Sequence, residues 1–352
     1  MSNKPPLVAV VGKLVHDYVV SENKLVHLMG GNGSFASLGV TPFISSPKLL
    51  SRIGDDFPAK WLSALEKAGV DINNIHKLSR PHDFMTIMKY QLDGDRENIV
   101  EVSKIESLIK NASDSLISDK KLKQYLEDLN LWKEELDNLF QFTFFPDPYD
   151  YSEDLISSFQ GVLICSAKAI LQKEWVDRIR SINQKAIIVM DAPVERVNER
   201  EILKAHLSTL RRVNCFLPSE QEVKFLFPSL SLEDAIKSLA ELGPEVIVVK
   251  RGSKGSLFFQ RERGVFLSIP SFPTISIDPT GAGDCFCGGF LGGFILTKDF
   301  LSSAICGNAV ASFAVSSRGA DQLALTLLMH KDELNERISF VKENIKKWNL
   351  SL

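Results

Sequence analysis

Ile277-Asp-Pro-Thr-Gly-Ala-Gly-Asp284, followed at once by Cys285-Phe-Cys-Gly-Gly-Phe-Leu291, is the stretch on which the reading of this chain turns. Gly281 and Gly283 flank Ala282, so the backbone can fold tightly and aim several N–H groups at one spot. The apolar run after them reads as a buried helix, which places those N–H groups at its positive end, where an anion is favoured. Asp284 falls in the first turn of the same helix. A carboxylate fixed beside an anion hole suits phosphoryl transfer, with a base for the attacking hydroxyl and dipoles for the charge in transit. On these residues alone, a strand-to-helix turn capped by Asp284 accounts for the stretch equally well.

Composition bounds the rest. The 352 residues suffice for one large domain or two ordinary ones, and 44% of them are hydrophobic, so a large core is within reach. The net charge of −3 is spread over well-mixed acids and bases. Nothing there makes the basic face that nucleic acid needs. Cys165, Cys215, Cys285, Cys287 and Cys306 lie mostly in apolar runs, and Cys285-x-Cys287 is too close for a zinc pair, so buried free thiols are expected. Residues 1–6 lack the apolar core of a signal peptide. The longest apolar stretch, about 285–297, is too short to cross a bilayer and contains four glycines. A soluble, cytoplasmic protein without membrane or nucleic-acid partners is the expectation.

Leu7-Val-Ala-Val-Val-Gly12 reads as a buried first strand of a parallel sheet. Asp17 follows where that strand opens into a loop, fit either to cap a turn or to hold two hydroxyls of a ligand. Met29-Gly-Gly-Asn-Gly-Ser-Phe-Ala36 permits close backbone approach and then starts a helix, although it is also ordinary turn chemistry. Residues 49–57 and 62–71 read as strand, turn, helix and a glycine-ended stop, with Asp55 and Asp56 in turn and cap roles. Met85–Leu92 and Asn98–Val102 alternate about Asp93-Gly94 as a hairpin does. Leu122, Tyr125, Leu126, Leu129, Trp132, Leu136, Leu139 and Phe140 recur at helical spacing.

Beyond residue 152, strands at 161–165, 186–191, 213–217 and 246–250 alternate with helical patterns at 173–182 and 232–242. That order implies a parallel sheet covered on both faces. Asp191 ends one strand, in a turn or at a site. Pro218-Ser-Glu-Gln-Glu222 begins a helix after another. Lys250-Arg-Gly-Ser-Lys-Gly255 joins 246–250 to a strand at 256–260 and alone is a hairpin turn. Asp299 caps a helix that carries Gly307-Asn308, and residues 334–348 read as one amphipathic tail helix.

Taken in this order, the segments resemble the PfkB (ribokinase-like) carbohydrate kinases over about residues 7–320, apart from 103–152. Asp-Pro-Thr-Gly-Ala-Gly-Asp carries most of the resemblance. It implies an α/β fold, a three-layer ribokinase-like core with a mainly parallel sheet and a small β lid. One kinase domain would span 1–352, with lid strands near 10–30 and 84–102 and a helical insertion at about 103–152. The implied reaction is transfer of the γ-phosphoryl group of ATP, with Mg2+, to an alcohol. Asp284 would be the base, and Gly281, Ala282 and Gly283 the anion hole. Lys250, Gly252, Gly255, Thr280 and Asn308 would serve the nucleotide, and Glu222 the magnesium, largely through water. Asp17, Gly30, Gly31 and Asn32 would hold the acceptor, with Phe35 as an apolar wall where many members place Asn. Ser219 replaces another family Asn, and Val194 stands where some sugar kinases carry Arg. The acceptor implied is a sugar or a cyclic polyol such as an inositol. A nucleoside stacked on Phe35, or a non-catalytic regulatory protein, is the alternative. In the family such lids sometimes pair, so a homodimer through the lid is a further expectation. A Rossmann dehydrogenase fails, because residues 11–14 lack the required glycine spacing.

Overall fold

The structure, a computed structural model, describes residues 6–21, 24–90, 96–98, 140–194 and 207–348. In chain order the strands are β1 (Val8–Val11), β2 (Val15–Ser21), β3 (Lys24–Gly30), β4 (Lys48–Gly54), β5 (Ile75–Leu78), β6 (Met85–Tyr90) and β7 (Arg96–Asn98). After the insertion come β8 (Gly161–Ile164), β9 (Ile187–Asp191), β10 (Cys215–Leu217), β11 (Val246–Lys250), β12 (Ser256–Gln260), β13 (Val265–Ile269) and β14 (Lys346–Lys347). Ten of them form one sheet in the order β14-β13-β12-β11-β10-β9-β8-β1-β4-β5. From β11 to β5 every neighbouring pair is parallel, and β12 to β14 return antiparallel.

The central parallel strands β1, β8, β10 and β11 are almost wholly apolar because both of their faces are buried. Val8 and Val10 point into one core, while Ala9 and Val11 point into the other. Val246 and Val248 against Ile247 and Val249 divide in the same way. Helices Asn32–Val40, Ala282–Thr297 and Phe300–Val315 cover the first face. Helices Ala169–Ile182 and Leu232–Glu241 cover the second. The result is the expected three-layer α/β/α arrangement. Ala282–Thr297 is wedged between its neighbours, and a Cβ at Gly288 would fall 2.0 Å from the carbonyl oxygen of Ala36.

A second sheet, ordered β3-β2-β6-β7, carries the strands expected of the lid. Its β6 and β7 pair antiparallel with Tyr90 opposite Arg96, so the second strand begins earlier than the expected Asn98–Val102, of which only Asn98 is described; Asp93, Gly94 and 99–102 lie outside the described residues. Most of the insertion, including the helical pattern from Leu122 to Leu139, also lies outside them. Its end is helical at 140–144, and Phe140 and Phe144 pack with Val15 and Phe84 at the base of the second sheet. The bidentate pair of Arg52 with Asp150, at 2.6 and 2.8 Å, then fastens the chain to β4.

The tail departs from the reading of one helix to Trp348. The helix is Glu333–Glu343, after which β14 adds to the edge of the main sheet beside β13. Edge N–H and C=O groups of β13 are thereby paired. The Trp348 indole donates to Glu233 at 2.5 Å, which holds the strand in place.

Candidate active site

The parallel strands β1, β8, β9, β10 and β11 all end on one side, and ligands of open α/β sheets gather there. Asp191 is the last residue of β9, Lys250 the last of β11, and Ser219 begins a helix just beyond β10. Helix Ala282–Thr297 starts at the same edge. Gly281, its N-cap, is left-handed with φ 73°, a conformation that favours glycine. The first-turn amides have no acceptor within the helix, and among them Ala282 N–H reaches the Pro279 oxygen at 3.3 Å. Asp284 sits in that turn. Asp278 braces the loop before it. One of its oxygens accepts the Thr280 N–H at 2.9 Å and the Thr280 hydroxyl at 2.5 Å. The other oxygen is buried and has no hydrogen-bond partner among the described residues.

The second sheet brings Asp17 to this edge. Asp17 is buried and accepts the Thr86 hydroxyl at 2.5 Å from the neighbouring β6. Gly30 lies against the same carboxylate, so closely that a Cβ would fall 1.8 Å from Oδ2. Met88, two residues along β6 from Thr86, meets the Thr280 hydroxyl at 3.7 Å and joins the sheet to the turn. Gly31 is the N-cap of helix Asn32–Val40. Asn32 spans two strand ends, accepting Lys13 N–H at 2.9 Å and donating to Ser166 O at 2.7 Å. The Lys13 ammonium is buried, donates to Gln141 at 2.6 Å and lies over Phe84.

Phe35 is placed differently from the acceptor wall read from the sequence. Its ring is 2% exposed and packs beneath the turn, where a Cβ at Gly281 would fall 2.1 Å from it. An aromatic ring in a tight helix–helix contact is worth more buried than exposed. It therefore offers no open face for a nucleobase. Asn308 is likewise inside the packing, donating to Ser256 at 2.7 Å and to Ala304 at 2.9 Å, so it does not line an open adenine pocket.

Lys250 also turns inward. Its ammonium donates to Asp191 at 2.5 Å and lies 3.6 Å from the Cys287 sulfur. Burial opposes the charge on Lys250, but Asp191 and its other neighbours hold its pKa well above the usual value. Burial raises the Asp191 carboxyl and Lys250 lowers it, and the balance leaves it raised to about 7. Ser219 is the N-cap of helix Glu220–Leu226. Its hydroxyl accepts the Glu222 N–H, and the Glu222 carboxylate accepts the Ser219 N–H at 2.6 Å. The Ser219 departure thus keeps the helix capped, and Glu222 stays near enough to act on the charges of Asp191 and Lys250. Gly252 and Gly255 are both left-handed, and the Cα of Gly252 faces open space.

Asp191 and Thr86 are the site residues the sequence marked least. Asp191 read equally as a turn residue, since β10 separates its strand from that of Lys250. Thr86 is a polar residue between the apolar Met85 and Ile87, which is the available signal. Among the described residues, no group of three or more His, Cys, Asp or Glu side chains forms a metal cluster, and no single helix is long and apolar enough to cross a membrane.

The family model described as pfkB family carbohydrate kinase matches residues 136–326. A cytidine kinase of Thermococcus kodakarensis is 25% identical over 288 residues, covering 81% of this chain and 87% of that protein. The structure of Arabidopsis thaliana ribokinase complexed with ribose and ATP superposes with a TM-score of 0.65 at 19% identity, over 96% of this chain and 99% of that one. A fructokinase double mutant of Vibrio cholerae O395, bound to fructose, ADP and potassium ion, gives a TM-score of 0.63 at 17% identity over 92% and 96% of the two chains. The glycine-turned helix start with its acid, set at the strand ends under a small sheet, thus belongs to a member of the pfkB family of carbohydrate kinases, a phosphotransferase of the sugar and nucleoside kinase class.

Proposed function

We propose that the protein transfers the γ-phosphoryl group of ATP to a hydroxyl of a sugar or cyclic polyol. The observation that carries this reading is that the second sheet, in which Gly30 lies against the Asp17 carboxylate, reaches the Thr280–Asp284 turn through the contact of Met88 with Thr280. Asp17, Gly30 and Gly31 hold the acceptor, and Asn32 keeps their loop in register with β8. Asp284 takes the hydroxyl proton as the acceptor oxygen bonds to the γ-phosphorus. The bond from that phosphorus to the β-phosphate oxygen breaks, and ADP leaves with the electron pair. The amides of Gly281 and Gly283 stabilise the phosphoryl oxygens in transit. Gly252 and Gly255 keep the nucleotide loop low enough for the phosphates to approach. Glu222 suits water-mediated Mg2+, a cation that keeps several waters and neutralises phosphate charge when bound.

Replacing Asp284 by Asn tests the reading. The turnover number, followed by coupled ADP detection, is expected to fall by roughly 10²–10⁴-fold while ATP still binds. A variant that turns over near the parental rate removes the base assignment. The cytidine kinase relative favours a nucleoside as the second reading. The burial of Phe35 removes the stacking platform which that reading used. An acceptor panel of pentoses, hexoses, inositols and nucleosides separates the two by kcat/KM.

Asp278 supports a monovalent-cation site. It is 3% exposed, and one buried oxygen has no hydrogen-bond partner among the described residues. Potassium held there would steady the anion-hole turn. The rate is expected to rise with KCl and not with a tetramethylammonium salt at equal ionic strength, and equal rates in the two would reject the site.

A further inference from the structure

Lys250 ends its strand beside the first turn of the helix that opens on Gly281. The ammonium lies 3.6 Å from the position a Cβ of Gly283 would take, at the first turn of helix Ala282–Thr297. Helix N-termini repel cations, so an ammonium there needs a reason to be held. Asp191 holds it, at 2.5 Å from the end of a strand two places away in the sheet, and both side chains are largely buried. The ammonium thus lies within about one residue of the helix start whose free amides attract an anion, on the same first turn as Gly283. In a low-dielectric site such fixed charge acts strongly on an anion and needs no reorganisation when the reaction occurs.

We propose that Lys250 is the charged member of the anion hole: it offsets the negative charge of the phosphoryl group in transit, and Asp191 is the positioning residue that keeps it there. This rests on the phosphoryl-transfer reading of the same site. In that step the acceptor oxygen bonds to the γ-phosphorus as its bond to the ADP oxygen breaks, and Asp284 receives the proton. Lys250 makes and breaks no bond. Its effect therefore falls on the rate of the step more than on the affinity of either substrate.

The test uses four variants of the full chain: Lys250→Met, Lys250→Arg, the double variant Lys250→Met with Asp191→Asn, and Asp284→Asn as reference. Lys250→Met is expected to lower kcat by about 10²–10³-fold, the scale of losing one oxyanion-hole donor. The acceptor KM and the ATP dissociation constant should change by less than about fivefold. Lys250→Arg should recover at least about tenfold of the loss, since it restores charge at the cost of shape. The double variant separates the proposal from a purely structural pairing. It removes the buried, uncompensated carboxylate that Lys250→Met leaves behind, so melting temperature should return towards the parental value. If Lys250 acts on the phosphoryl group, kcat stays low in this refolded background. Recovery of kcat along with stability overturns the proposal, as does a Lys250→Met enzyme within about threefold of the parental kcat. An active Asp284→Asn enzyme would sink the underlying reading instead, whatever the Lys250 variants show.

Discussion

Phe35 and Gly281 come from opposite ends of the fold and occupy one small volume. The ring fills the space that any side chain at 281 would need, so the glycine-rich segment of the first helix and the anion-hole turn form one packing unit. A change at either residue is felt at the other. Polar residues show the same economy of position at Arg52 and Asp150. Burial pushes the Asp150 carboxyl up, but the hydrogen bonds and charge of Arg52 pull it further down, and the net pKa lies below its ordinary value of 3.8. A carboxyl whose folded pKa is depressed adds stability above its unfolded pKa and loses it as pH falls through the folded one. Stability in urea should therefore decline on acidification below about pH 4. In Asp150→Asn that part of the decline should vanish, together with about 1–3 kcal/mol at neutral pH, because Arg52 is left half-buried and without this partner. An Asn variant with the parental acid profile would refute the assignment.

Helix Ala282–Thr297 is the element on which the site is mounted. It is apolar all round because neighbours cover it all round. Its glycines are contact surfaces for helices Asn32–Val40 and Phe300–Val315. Alanine is intrinsically the better helix former by about 1 kcal/mol. At Gly288 the added methyl would meet the Ala36 backbone at 2.0 Å, and backbone cannot rotate away. Gly288→Ala should accordingly lose about 1–3 kcal/mol by the urea midpoint, the usual cost of overpacking. It should also slow catalysis, because the helix start moves relative to Asp17. A stabilised, fully active Gly288→Ala protein would contradict the close packing described.

At the scale of the whole molecule, the main sheet brings the carboxyl ends of β1, β8, β9, β10 and β11 to one edge, and the second sheet stands over that edge. Residues far apart in sequence meet because parallel strands must each be reached by a crossover, which interleaves early and late segments. Much of this was legible beforehand. The strands β11 and β12, the apolar β1, the hairpin strands and the capped helix after Asp299 follow from local patterns, since period, caps and turns are set by neighbours in the chain. The family membership rested on Asp-Pro-Thr-Gly-Ala-Gly-Asp, a motif whose chemistry needs only a turn and a helix start. The tail beyond Asn344 was not legible, because helical spacing in 334–348 cannot reveal an open sheet edge waiting beside it. The burial of Phe35 and Asn308 and the pairing of Lys250 with Asp191 were not legible either, because their partners lie far off in the chain. The sequence by itself determined the fold class, the kinase family and the identity of the acid at the helix start, all of which are local in origin. Only the tertiary structure decided which side chains meet at the strand ends, because the pairing of Lys250 with Asp191 and of Phe35 with Gly281 depends on strand order and helix packing, and the linear chain carries no direct record of either.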